Sequence, residues 1–240
     1  MQNRYAGDIG DYGKLGLLRK LRGAGLTVGV NWYLTPDEIH NKDGLYVGYL
    51  QKAVLSDCDY SLWRQLGVLV QENKRSVAAL EKLSILDARF SSEMLDLSGM
   101  TKTERAQRRW EWHCRAQERL SGCDIIFVDP DNGLIVPSQE GKGKSNKYVL
   151  PLELIEYYRG GASVIYYQHK ARQKDDFYAA QHARLASSGG FADAKTLGLK
   201  FKATSLRYYF FLMQPRHARQ IERCVDEMLE GPWAKCFERV

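Results

Sequence analysis

Asp129-Pro130-Asp131-Asn132-Gly133 places two carboxylates and a side-chain amide directly after the run Asp124 to Val128 (DIIFV). Two acids in partly buried surroundings can hold different protonation states, so one takes a proton or orients water while the other anchors a substrate. Asn132 both donates and accepts hydrogen bonds, which suits it to the edge of a base. The proline stiffens the turn, and Gly133 reaches backbone conformations closed to other residues. Such residues also end strands without doing chemistry. The density of polar groups beyond so apolar a strand favours a site, and Asp129, Asp131 and Asn132 are its catalytic candidates.

His169-Lys170 follows a second apolar run, Ala162 to Tyr167 (ASVIYY). If the two strands are neighbours, His169 shares a rim with Asp129 and can act as base, acid or phosphate contact. A third group lies in Asn3 to Lys14, where three glycines and two acids precede a helix. Gly7 and Gly10 would allow close approach of a ligand, with Asp8, Asp11 and Lys14 supplying polar contacts. Asp37, in the loop after Leu34, joins this ligand-binding set. The spacing is not the dinucleotide fingerprint, and the segment precedes the first strand.

Phosphate-gripping candidates are Arg108, Arg115 and Arg119 on a polar helix, Lys142 and Lys144 in a Gly- and Lys-rich loop, and Lys170. The helix spans Thr101 to Leu120 and opens on a Thr101-x-x-Glu104 capping-box pattern. Its register puts Ala106, Trp110, His113, Gln117 and Leu120 on one stripe and Arg108, Trp112, Arg115 and Arg119 on the opposite, solvated side. The loop Gly141 to Lys147 lacks P-loop spacing and is expected to be a mobile, phosphate-attracting flap.

The elements that must position these residues are legible from periodicity. Asp11 to Ala24 reads as a helix with Asp11 as possible N-cap, and Leu26 to Leu34 as a buried strand. Ser61 to Glu72 and Arg75 to Leu83 read as helices. Tyr148 to Tyr158 and Phe177 to Ser187 read likewise. Lys195 to Lys202 and Ser205 to Met213 read as adjacent strands, followed by a helix from Pro215 to Leu229. Strands alternating with helices predict an α/β fold: a three-layer Rossmann-like sandwich with a mostly parallel sheet and a C-terminal antiparallel strand pair. One domain over residues 1–240 is expected, with a helical insertion at about 51–121. In such sheets ligands bind at the carboxyl ends of strands, which selects the loops after Leu34, Val128 and Tyr167.

The 240 residues, 44% apolar and 27% charged, exclude a disulfide miniprotein, a collagen-like chain and a disordered tail. The net charge of +6 points weakly to a polyanionic partner, DNA or RNA. No apolar run reaches the roughly 18 residues of a membrane span, and Met1 leads into polar Gln2, Asn3 and Arg4, so a cytoplasmic protein with no membrane partner is expected. Five cysteines without a C-x-x-C pair give no support to a zinc ribbon or a disulfide framework, and no metal is expected.

The N-terminal Gly-Asp segment, the apolar strand ending in Asp-Pro and the late strand pair together resemble the class I methyltransferase architecture. More narrowly, the chain resembles ribosomal RNA adenine methyltransferases that begin with Gly-Asn-x-x-Asp-x-x-Lys. Gly10-Asp11-Tyr12-Gly13-Lys14 matches that segment loosely, and Asp129-Pro130-Asp131-Asn132 stands where those enzymes carry Asp-Pro-Pro-Tyr. The resemblance implies a base-modifying enzyme that binds S-adenosylmethionine at a glycine-rich turn after the first strand and receives the target amino group at Asp-Pro. Here Thr35-Pro36-Asp37-Glu38 follows Leu34 instead of that turn, and the stacking aromatic of the motif is replaced. The Asp-Pro turn with a histidine at another strand end also resembles uracil-DNA-glycosylase-type enzymes. In that chemistry Asp129 or Asp131 orients water, Asn132 reads an extruded base and His169 stabilises the departing base anion. A metal-dependent nuclease using Asp8, Asp129 and Asp131, and a non-catalytic nucleic-acid-binding module, are the remaining readings.

Overall fold

Short apolar strands bounded by polar turns assemble into one mixed, mostly parallel sheet in the computed structural model, which describes residues 1–38, 44–203 and 206–240. Its strands are β1 (Val28–Asn31), β2 (Arg89–Ser91), β3 (Ile125–Val128), β6 (Ser163–His169), β7 (Lys195–Phe201), β8 (Arg207–Met213) and β9 (Phe237–Arg239), with β4 (Gly133–Leu134) and β5 (Tyr148–Val149) forming a separate parallel pair. The order across the sheet is β2-β1-β3-β6-β8-β7-β9. The first four run parallel, whereas β8 is antiparallel to both β6 and β7, and β9 is antiparallel to β7.

β1, β3 and β8 are buried at every position, as expected where helices cover both faces of a sheet. The helices are α1 (Ile9–Gly23), α2 (Ala53–Ser56), α3 (Tyr60–Gln71), α4 (Val77–Lys82), α5 (Lys102–Leu120), α6 (Pro151–Arg159), α7 (Asp175–Ala186) and α8 (Pro215–Glu230). One core joins α1, α3 and α8 to Ile125 and Phe127. The other joins α5, α6 and α7 to Ile126 and Val128. Alternate residues of β3 thus serve opposite layers. No helix among the described residues is long and apolar enough to cross a membrane.

Several local expectations are corrected. α1 starts two residues before Asp11, because Asp8 is the N-cap and its Oδ1 accepts from the amides of Gly10 and Asp11 at 2.7 and 3.0 Å. Gly13 serves packing, and Gly10 lies against a side chain that borders the cavity described below. A Cβ at Gly10 would fall inside the Arg207 guanidinium, and one at Gly13 would lie 2.6 Å from the Phe201 ring. Gly7 adopts φ +80° and faces Leu69 and Val70, away from the cavity described below.

The insertion between β1 and β3 supplies an edge strand, β2, that periodicity did not predict: only three residues long, it leaves no alternation to read. Tyr148 and Val149 pair as β5, and Pro151, which cannot donate a backbone hydrogen bond, opens α6. The expected strand from Ser205 begins outside the described residues, and its described part starts at Arg207. On α5 the capping box is present, but the faces differ: Arg109, Trp112, His113, Ala116 and Leu120 are buried, while Trp110 is 60% exposed. A stripe chosen for tryptophan and leucine misplaced it because an arginine lies at its centre.

Candidate functional site

The first turns of α1, the carboxyl ends of β3 and β6, and the start of β8 converge on one cavity of about 390 Å³. That volume falls within the ~300–1,000 Å³ typical of small-ligand sites. From α1 come Asp8, Gly10, Asp11 and Lys14; Asp11 and Lys14 are one turn apart, so they share a helical face. From the turn after β3 come Asp129, Asp131 and Asn132, and His169 stands at the mouth. The cavity therefore gathers three stretches that sequence analysis chose separately.

Lys14 is the hub. Its Nζ lies 2.5 Å from Asp129 Oδ2 and 2.8 Å from Asp11 Oδ1, and the ammonium sits 5.0 Å from the Trp32 ring centroid. Burial alone would push the lysine down, but the two carboxylates outweigh it and hold it well above its usual range. Burial raises the Asp129 carboxyl against the pull of Lys14 and the Met1 amino group. Asp8 is raised by burial too, opposed by Arg207 and reinforced by Asp11.

Asp131 has a different part. Its Oδ1 is 2.6 Å from the Met1 amino group, Oδ2 accepts from Gln2 Nε2 at 2.7 Å, and Lys147 lies 3.7 Å away. Burial raises it, but these partners outweigh burial and hold it below the usual carboxylate range. Asp129 and Asp131 are thus pushed in opposite directions, the condition under which two acids divide their roles. Both Asp131 oxygens are engaged by the N-terminal segment, so Asp131 anchors the wall and is not placed to activate water. Asn132 ties the turn to β6, its carbonyl accepting from Gln168 Nε2 at 3.0 Å. His169 is exposed, with Nδ1 3.3 Å from the Tyr167 hydroxyl. That location is the rim of the cavity.

The phosphate candidates are not gathered. Arg108 and Arg115 both pair with Glu93, Lys170 pairs with Asp175, and Arg119 lies at the exposed end of α5. Lys142 and Lys144 line a neighbouring cavity with Asp37. The segment that carries them is tied down: Arg109 Nη1 donates to the Ser145 carbonyl at 2.7 Å, and Asn146 Nδ2 donates to the Leu95 carbonyl at 2.9 Å. A mobile flap is thereby corrected. Among the described residues no three or more His, Cys, Asp or Glu side chains are grouped to hold a metal ion.

Sequence reasoning missed three contributors: Arg207, Tyr209 and the pair Arg109–Glu153. Tyr209 lies in an aromatic run that reads as core, and it is fully buried. The residue nevertheless borders the cavity, and its buried hydroxyl has no hydrogen-bond partner among the described residues. Arg109 binds Glu153 through two nitrogens, at 2.6 and 2.8 Å, and Nη2 also donates to the Tyr148 carbonyl at 2.6 Å. Tyr33 donates to the same carboxylate at 3.0 Å, locking the turn after β1.

Comparison with known proteins adds little. No family model and no curated protein matches the chain. It is similar to a solved structure. That structure is protein LPL1258 from Legionella pneumophila str. Philadelphia 1, described by the family model DUF519, with TM-score 0.47 and 10% identity over 98% of this chain and 97% of that one.

The turn after β1 does not fit S-adenosylmethionine. Asn31, Trp32, Tyr33, Leu34 and Thr35 are all buried there, and Trp32 and Tyr33 are wholly so. Trp32 Nε1 donates to Glu81 at 2.9 Å, and Tyr33 holds φ 46° without a glycine. Where a glycine turn would expose backbone amides to a cofactor, side chains fill the space with their own partners.

Proposed function

We propose that the protein is a nucleic-acid-acting hydrolase that removes a base from a nucleotide unit, with the cavity beside Asp129 as its active site. The observation that carries this reading is Asp129, a buried carboxylate at the end of an apolar strand, held by Lys14 and facing a nucleotide-sized cavity. Lys14 favours the ionised carboxylate, while burial outweighs it and raises the carboxyl, in the direction that makes it a stronger base. Asp129 accepts a proton from water, and the water oxygen attacks the sugar carbon. The basic excess of the chain supports a polyanionic substrate, DNA or RNA.

The expected result is release of free base from single-stranded oligonucleotides by the wild-type chain, lowered at least ~100-fold by Asp129→Asn, the usual scale for loss of a general base. Equal rates for the two proteins would overturn the assignment.

A second reading is favoured by the sheet. The parallel half, followed by antiparallel β8 between β6 and β7, supports a Rossmann-like sandwich and the class I methyltransferase resemblance. Written from Gly7, the N-terminal segment also has the family spacing, Gly7-Asp8-x-x-Asp11-x-x-Lys14, with Asp for Asn. Against methyl transfer stands the filled turn after β1. Calorimetric titration with S-adenosylmethionine should give no binding heat; saturable heat would restore the methyltransferase reading.

A further inference from the structure

Away from the cavity, two cysteines from opposite ends of the chain meet. Cys58 lies in the turn between α2 and α3, and Cys236 directly precedes β9. Both are reduced, and their thiols are within hydrogen-bonding reach of each other. The segments that carry them are clasped at further points. Cys58 Sγ donates to the Pro232 carbonyl at 3.3 Å, and Lys235 Nζ donates to the Val54 carbonyl at 2.8 Å and lies 3.7 Å from Asp57. Both segments close over Tyr12 of α1, whose ring centroid is 5.0 Å from that of Trp233 and whose hydroxyl accepts from the Asp59 amide at 3.2 Å. Cys58 is 8% exposed and Cys236 1%, so Cys58 is the thiol nearer solvent. The bond from Cys236, assisted by the Lys235 ammonium, outweighs burial and holds the Cys58 thiol below its usual range. The same bond, with burial, pushes Cys236 up. A favoured thiolate beside a second thiol is the arrangement that peroxide-sensitive cysteines use.

We infer that Cys58 and Cys236 form an oxidative modification site, at which hydrogen peroxide converts the thiol pair into a disulfide that fastens residues 54–59 to residues 232–236 across α1. In the first step the Cys58 thiolate sulfur bonds to one peroxide oxygen, the O–O bond breaks, and hydroxide leaves and takes up a proton to become water. Cys58 is then a sulfenic acid. It no longer carries the charge that raised Cys236, so Cys236 loses its proton and attacks the Cys58 sulfur. The S–O bond breaks as the S–S bond forms, and the departing hydroxide takes up the proton that Cys236 released. Two electrons pass from the two thiols to one peroxide, which ends as two waters. The bridge closes a loop over most of the chain and steadies the helix that carries Asp11 and Lys14. Neither thiol borders the cavity beside Asp129, so the inference stands apart from base release.

The test treats the folded, full-length chain with hydrogen peroxide at neutral pH, alkylates the remaining thiols and maps the cysteine peptides by mass spectrometry. A disulfide joining Cys58 to Cys236 should form at least ~10-fold faster than Cys123 or Cys224 is oxidised, since burial raises both of those thiols. Dithiothreitol should reverse it. The melting temperature of the bridged chain should rise by roughly 5–15 °C, because closing a long loop constrains the unfolded state. Cys236→Ser should stop the reaction at a Cys58 sulfenic acid that dimedone traps, and Lys235→Met should slow the first step by removing the cation that favours the thiolate. No bridge in the folded wild-type chain, a bridge that forms only in denaturant, or a different pairing overturns the site. An unchanged or lower melting temperature of the bridged chain overturns its fastening of α1. The wild-type chain alone decides the pairing, so the test holds even where a serine variant fails to fold.

Discussion

Lys14→Met should destabilise the protein by ~3–5 kcal/mol at neutral pH, the usual result of removing one partner from a buried ion pair. The side chain is 5% exposed and its loss leaves Asp11 and Asp129 without the cation they share. Two like charges in one buried site cannot both stay ionised, so the variant raises a carboxyl already pushed up by burial. A carboxyl raised on folding gives stability that is complete below its unfolded value and is lost as pH rises through its folded value. The variant should therefore recover stability on acidification and be weakest at neutral and alkaline pH. Denaturant unfolding from about pH 4 to pH 8 measures this, and a pH-independent deficit would show that Lys14 acts through packing alone. Base release, under the proposed function, should fall as well, because the carboxylate loses the cation that favours its ionised form.

Arg109→Met should have a comparable cost, ~3–5 kcal/mol, by leaving Glu153 buried without its partner. The two side chains are 8% and 5% exposed. Burial raises Glu153, but Arg109 outweighs it, so in the wild type the carboxyl lies below its usual range. That sign gives stability present above the unfolded value and lost as pH falls through the folded value. The gap between wild type and variant should consequently be widest at neutral pH and narrow in acid. Because Arg109 also holds the Ser145 and Tyr148 carbonyls, hydrogen exchange should accelerate across residues 143–149. Unaltered exchange there would show that the segment is held by other contacts.

The regular part of the fold was legible because it depends on periodicity. β3 and β6 are runs of apolar residues, and α5 opens on a capping box written in Thr101 and Glu104. The rim formed by Asp129 and His169 followed from the rule that ligands sit at the carboxyl ends of parallel strands. What stayed hidden depends on tertiary partners. Tyr209 is indistinguishable in sequence from its core neighbours Tyr208 and Phe210, and only the register of β8 puts it on the cavity side of the sheet. Arg109 reads as one more arginine on a polar helix until Glu153 is seen opposite. The glycines of α1 suggested a ligand, whereas Arg207 and Phe201 occupy the space they leave. Asp131 shows the same limit: a carboxylate beside a candidate base, taken up by Met1 and Gln2.

The course of folding follows from how α1 is seated. Gly10, Gly13 and Gly16 lie against Arg207, Phe201 and Trp233, so residues near position 10 find their neighbours some 200 positions later in the chain. Lys14 and its carboxylates come from both sides of the same gap, with Asp129 more than 100 residues beyond Asp11. During synthesis the helix that carries these charges emerges first and waits, unpaired, for the strands that will cover it. The cavity should accordingly be among the last features to form and should assemble slowly, and a chain truncated before β8 should hold α1 only loosely.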